Sequence, residues 1–135
     1  MSVHVTIAGS YNKHFARIVH AATEFRARDA EVLRPHTDEI VSTDEQLVRL
    51  HGDPHDAIGV ERAQFQAIAD SQLLYVVNPG GYVGPSALVQ AGLAYGRGVR
   101  VVCSEPPFER SMNAIIAGVG TPEHALTLAN TEVPA

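Results

Sequence analysis

Three near-continuous apolar runs, each bounded by glycine or a polar turn, constrain this chain more than any other feature. Val3-His4-Val5-Thr6-Ile7-Ala8 stops at Gly9-Ser10, and Leu73-Leu74-Tyr75-Val76-Val77-Asn78 stops at Pro79-Gly80-Gly81. Val99-Arg100-Val101-Val102-Cys103 follows Gly98, and a shorter run, Ala30-Glu31-Val32-Leu33, precedes Pro35. Runs with so little alternation predict strands covered on both faces, as in a parallel sheet.

Between these runs the period changes to that of a helix. Phe15, Ile18, Val19, Ala22 and Phe25 fall at i, i+3, i+4, i+7 and i+10, a stripe that faces a core. The 56–70 segment is weaker: Ile58, Phe65 and Ile68 share one side, but Glu61 and Arg62 interrupt the pattern. Pro85 is suited to open a helix reaching about Tyr95, with Gly96 and Gly98 ending it. Thr121-Pro122-Glu123 supplies an N-cap, a first-position proline and an acidic first turn for a last helix to about Asn130. Strand and helix in alternation predict a doubly wound α/β domain of four to five mainly parallel strands. The 135 residues are expected to form one domain, 1–135. The polar stretch from about 35 to 55, rich in Asp and His, is expected to be a long functional or mobile loop.

Composition removes several classes of function. The net charge of −5 argues against nucleic-acid binding, which leaves a basic footprint. A single cysteine, Cys103, rules out an internal disulfide framework and a multi-cysteine zinc site, and a lone cysteine without an activating partner is expected to be packing. No run approaches the roughly 20 apolar residues that span a bilayer, and MSVHVTIAGS has no basic, long-apolar leader pattern. A soluble cytoplasmic protein without a membrane partner is expected. His51 and His55 have the spacing of a helical metal site, but Gly52 and Pro54 break such a helix. The 51–56 segment is therefore expected to be a solvated loop or a lid, with no metal. No GxSxG elbow supports a serine-nucleophile triad.

In an open parallel sheet, ligands bind beyond the carboxyl ends of the strands. Two glycine-bearing loops fall there, Ala8-Gly9-Ser10-Tyr11-Asn12 and Asn78-Pro79-Gly80-Gly81-Tyr82-Val83-Gly84-Pro85-Ser86. Neither is a GxGxxG or a GxxxxGK[ST] loop, so dinucleotide and nucleoside-triphosphate readings are weak. The second loop runs straight into a helix start, where free N–H groups and the Ser86 hydroxyl suit an anion; a plain turn opened by Pro85 is the alternative. Ser86 and Gln90 lie four apart and share a helix face. Read alone, Gln90 is an ordinary solvated helix residue: its amide can hold a hydroxyl but is neither nucleophile nor base.

The segments IAGSY, LLYVVNPGGYVGPS, QAGLAYGRGVRVV and SMNAIIAGV, spread over residues 3–118, resemble the nucleoside 2-deoxyribosyltransferase family, which includes nucleoside 5′-monophosphate N-glycosidases. The middle segment is the specific part. The resemblance implies a flavodoxin-like, Rossmann-like sheet, a homodimer or larger oligomer, and cleavage or exchange of an N-glycosidic bond without a cofactor. The family carries a catalytic Glu two residues before a Gly on the helix after the glycine loop. This chain reads Gln90-Ala91-Gly92, so the catalytic position is Gln90. In the family that Glu attacks the anomeric carbon, a step an amide cannot take. Gln90 is then either a substrate-trapping replacement or the mark of a homologue whose chemistry is lost or changed.

Other positions carry over one at a time. Tyr11 matches the tyrosine beside the catalytic carboxylate and the sugar, and Ser86 the serine that holds a 5′-phosphate. Gly84 stands where deoxyribosyltransferases have an acidic residue for the sugar hydroxyl, a departure that favours a phosphate. Asn113 matches a polar residue given by the neighbouring subunit. Gln64 stands where a sugar-binding Asp is usual, a departure from the family pattern. Gly9 and Ser10 would floor the site near the base, while Gly80 and Gly81 would admit the sugar. The expected activity is therefore N-glycosidic cleavage, or 2-deoxyribosyl transfer, on a nucleoside 5′-monophosphate. The alternative is a non-catalytic nucleotide-binding module. An FMN-binding protein is a poorer fit, because neither loop is rich in Ser and Thr.

Overall fold

A computed structural model describes residues 2–43 and 47–130. Its main sheet has five strands: β1 (His4–Gly9), β2 (Glu31–Arg34), β5 (Leu73–Val77), β6 (Arg100–Cys103) and β7 (Gly118–Val119). They lie in the order β2-β1-β5-β6-β7, and every neighbouring pair is parallel. Helices α1 (Tyr11–Ala27), α2 (Ala57–Ala69), α3 (Pro85–Gly96) and α4 (Arg110–Ile115) lie in the connections between sheet strands, and α5 (Pro122–Ala129) follows β7. Counted among themselves, the sheet strands run 2-1-3-4-5, the flavodoxin-like order. No helix among the described residues is long and apolar enough to cross a membrane.

The apolar runs are continuous because both sheet faces are covered. Along β5, Leu73, Tyr75 and Val77 join the cluster under α1 and α5, while Leu74 and Val76 join the one under α2, α3 and α4. Val102 of β6 faces the first cluster, and Val101 and Cys103 face the second. Phe25, fully buried on α1, meets Tyr75 edge-on at 5.2 Å. Cys103 packs as expected, and burial pushes its thiol up to about 11.

The expected ends of α3 and α5 are present, with Gly84 and Thr121 as N-caps, and α1 is capped by Ser10. On α2 the inward face differs from the expected one. Ile58 is 66% exposed, and the buried positions are Val60, Gln64 and Ile68. Of the two residues that interrupt the stripe, Glu61 is half-buried and Arg62 is exposed.

The stretch from 35 to 55 is not one long loop. It contains an antiparallel hairpin, β3 (Ile40–Thr43) with β4 (Val48–Leu50), outside the main sheet. All four residues of β3 are exposed, so no alternation betrays it in sequence. The 51–56 segment anchors this hairpin and is not simply solvated. The Asp53 carboxylate pairs with the Arg34 guanidinium at the end of β2 and accepts from the Leu50 N–H at 2.9 Å. Asp56 caps α2, its Oδ1 accepting from the Gly59 N–H at 2.6 Å.

Both members of the Arg34–Asp53 pair are almost fully buried. Burial alone would raise the Asp53 pKa, but the bonds from Arg34 and Leu50 outweigh it and hold the carboxyl below its ordinary value. Asp53→Asn should therefore leave a buried unpaired guanidinium and destabilise by about 3–5 kcal/mol in urea unfolding at pH 7. A carboxyl with a lowered folded pKa stabilises above its unfolded pKa, and that stability is lost as pH falls through the folded value. The wild-type advantage should hold above about pH 4 and close below it; a gap unchanged at pH 3 would refute this account.

Candidate active site

A cavity of about 500 Å³ opens where β1 and β5 end side by side, the point at which the strand order reverses. Gly9 and Val77 form part of its floor, the start of α1 and the start of α3 its rim, and Leu47 and Val48 of the hairpin one wall. Gly9 takes a φ of +142°, and a Cβ there would stand 2.7 Å from the Val77 carbonyl oxygen, so the strand ends can close together only around glycine. Two helix N-termini reach this space. At α1 the Ser10 hydroxyl accepts from the Lys13 N–H at 3.1 Å. At α3 the cap is Gly84, which offers no side chain, and the first intrahelical bond runs from Leu88 N–H to Gly84 C=O. The Ser86 and Ala87 amides precede that bond and remain donors for a ligand.

Behind the rim runs a directional chain of polar side chains. Arg34 can only donate, and its Nε gives to Gln64 Oε1 at 3.3 Å. Gln64 Nε2 then donates to Gln90 Oε1 at 3.2 Å and to the Ile7 carbonyl at 3.0 Å. Gln90 Nε2 in turn donates to Glu61 Oε1 at 3.0 Å. The donor at Arg34 fixes which way each amide must point, and a carboxylate, acceptor only, terminates the series. Tyr11 is tied to the same place, its hydroxyl donating to the Ile7 carbonyl at 2.8 Å. Burial raises the Tyr11 pKa, so the phenol is a neutral hydrogen-bonding group and not a base.

Of the residues expected in the site, Gly9, Ser10, Tyr11, Gly84, Ser86 and Gln90 all line this one cavity. Gln90 is not a solvated helix residue; it is 6% exposed. Gly80, Gly81 and Asn113 are not brought to the cavity of their own chain. Gly81 has φ +91° and packs so closely on Pro106 and Phe108 that a Cβ would meet the Pro106 carbonyl at 2.7 Å. The Gly80 N–H donates to Glu105 Oε2 at 3.2 Å. Gly81 thus shapes the turn against the loop after β6, and neither glycine is in the cavity lining. The Asn113 amide donates to the Pro107 and Glu109 carbonyls at 2.9 and 3.1 Å. Sequence reasoning missed Arg34, Glu61, Lys13 and His14 as lining residues. The signal for Glu61 was present: it breaks the α2 stripe one turn from where that helix should be apolar.

No family model matches the sequence, and no curated protein matches it. Solved structures do. A conserved protein from Enterococcus faecalis V583 superposes with a TM-score of 0.69 at 13% identity, over 96% of this chain and 98% of that one. A 2-deoxyribosyltransferase from Bacillus psychrosaccharolyticus gives 0.66 at 12% identity, over 96% and 92%. A CMP N-glycosidase from Clostridium botulinum gives 0.57 at 14% identity, over 91% and 93%. This chain shares their fold. The doubly wound sheet expected from the sequence is thereby met in both its topology and its structural neighbours.

Gln90→Glu would set a second carboxyl against Glu61 at hydrogen-bond distance. Like charges so close cannot both ionise without cost, so the pair should retain a proton to higher pH than either acid alone. A pair whose folded pKa is raised loses stability as pH rises. The melting temperature of Gln90→Glu relative to wild type should therefore fall between pH 5 and pH 8, and a difference independent of pH would show that the two side chains do not meet.

Proposed function

We propose that the cavity binds a nucleoside 5′-monophosphate, with the phosphate at the start of α3 and the N-glycosidic bond over the Gln64–Gln90–Glu61 floor. The observation that carries this reading is the placement of Ser86 and Gln90 on one face of α3, both in the cavity lining. They are about one helical turn apart, roughly 6 Å along the axis. A pentose phosphate likewise has its anion at one end and its anomeric carbon at the other. Lys13 adds positive charge to the lining, suited to a dianion. Two structural neighbours bear names for chemistry at this bond, one a 2-deoxyribosyltransferase and one a CMP N-glycosidase. Cleavage or transfer at the N-glycosidic bond is thus the activity proposed, without passage through a covalent sugar on Gln90, which has no electron pair of the needed strength. The second reading, a nucleotide-binding module without turnover, is favoured by the amides at both 64 and 90. Release of free base from a bound nucleotide separates the two.

Monophosphates should bind at least about tenfold more tightly than the matching nucleosides, since one charge-assisted bond of about 1.5–3 kcal/mol is enough for that. Ser86→Ala should weaken monophosphate binding and leave nucleoside binding nearly unchanged in calorimetry. Equal affinities for the two ligand types would overturn the phosphate placement.

The active unit in this proposal is a dimer in which Asn113 serves the partner's site. Asn113 sits exposed on α4 beside Ala114 and the half-buried Ile115, a mixed surface suited to a two-fold contact. Light scattering should give twice the chain mass at micromolar concentration; a monomer with full nucleotide affinity would exclude the shared site.

A further inference from the structure

We infer that Glu61 is the catalytic carboxylate of this site, acting on α2 as a general base toward water, in place of a nucleophile on α3. The inference rests on the nucleotide reading above. Among the described residues that line the cavity, Glu61 is the one Asp or Glu. It lies against Gln90, whose Nε2 donates to Oε1, and Oε2 has no hydrogen bond among the described residues. Glu61 is half-buried and lines the cavity, with Oε1 held by the Gln90 amide.

The series Arg34, Gln64, Gln90, Glu61 delivers every donor in one direction, and only an acceptor completes it. This orients Glu61 as a second carboxylate beside it could not. A single displacement asks the protein for one base toward water, and Glu61 stands in the lining beside Gln90, which cannot serve as nucleophile.

In that step Glu61 Oε2 takes a proton from water as the water oxygen bonds to the anomeric carbon. The bond from that carbon to the base nitrogen breaks, and its electron pair leaves with the nitrogen. The nitrogen takes a proton from solvent, and Glu61 returns its own to solvent. Nucleoside monophosphate and water thus give free base and sugar 5-phosphate, with no net change in charge beyond the usual ionisation of the products.

The test uses the whole protein with a panel of ribo- and deoxyribonucleoside 5′-monophosphates, reading binding by calorimetry and base release by chromatography. Wild type should bind and release base from at least one of them. Glu61→Gln, which can still accept from Gln90, should keep the nucleotide affinity within about threefold. It should lose about 10²–10⁴-fold of base release, the usual contribution of a general base. Glu61→Asp, with its shorter reach, should bind equally and retain an intermediate rate. Rapid quench of wild-type turnover should give protein of unchanged mass. Base release undiminished in Glu61→Gln would overturn the role of Glu61 and leave the nucleotide reading standing, as would binding by wild type with no release from any nucleotide. A pentosyl phosphate adduct on the quenched protein would overturn the water step. Failure of wild type to bind any monophosphate would remove the nucleotide reading itself, and this inference with it.

Discussion

Gln64 holds the molecule's functional half together because its one amide meets three separately folded pieces. Its oxygen takes the Arg34 N–H from the end of β2, and its nitrogen serves both the Ile7 carbonyl of β1 and the Gln90 oxygen of α3. Arg34 in turn secures the hairpin through Asp53. A buried amide left half-satisfied costs about 1–3 kcal/mol for each lost partner, so these pieces are correlated in position. The five-residue series from Asp53 to Glu61 is the cross-link between the hairpin wall and the floor of the cavity.

The frame was legible where the physics is local. The strand runs, the proline at the first position of α3 and the Thr121 cap each declare themselves within a few residues, and each is present. The hairpin was hidden because its first strand is exposed throughout, and it is held by Asp53, an acid in a segment that reads as solvent-facing. The short β7 has two residues and no periodicity to detect.

At the cavity the loops and Gln90 were legible, and the acid beside Gln90 was not. Gly9, Ser10, Tyr11, Gly84 and Ser86 lie in glycine-marked segments next to strand ends, where topology alone puts ligands. Glu61 lies on a helix whose apolar stripe it interrupts, and a polar residue there reads first as weak patterning. Gly80 and Gly81 show the opposite error. Both take positive φ and neither lines the cavity; at Gly81 the missing side chain makes room for Pro106 and Phe108.

The one-way hydrogen-bond series has a consequence for how such a site can change over time. Moving the acid from α2 to α3 takes two replacements, Gln90→Glu and Glu61→Gln, after which each amide again meets an acceptor. Either replacement alone leaves two acids facing each other or no acid at all. The two arrangements are therefore separate peaks joined by a double exchange, and a lineage that has crossed from one to the other has no single-step way back. Sequence comparison at either position alone would report a lost site, whereas the pair read together would report a relocated one.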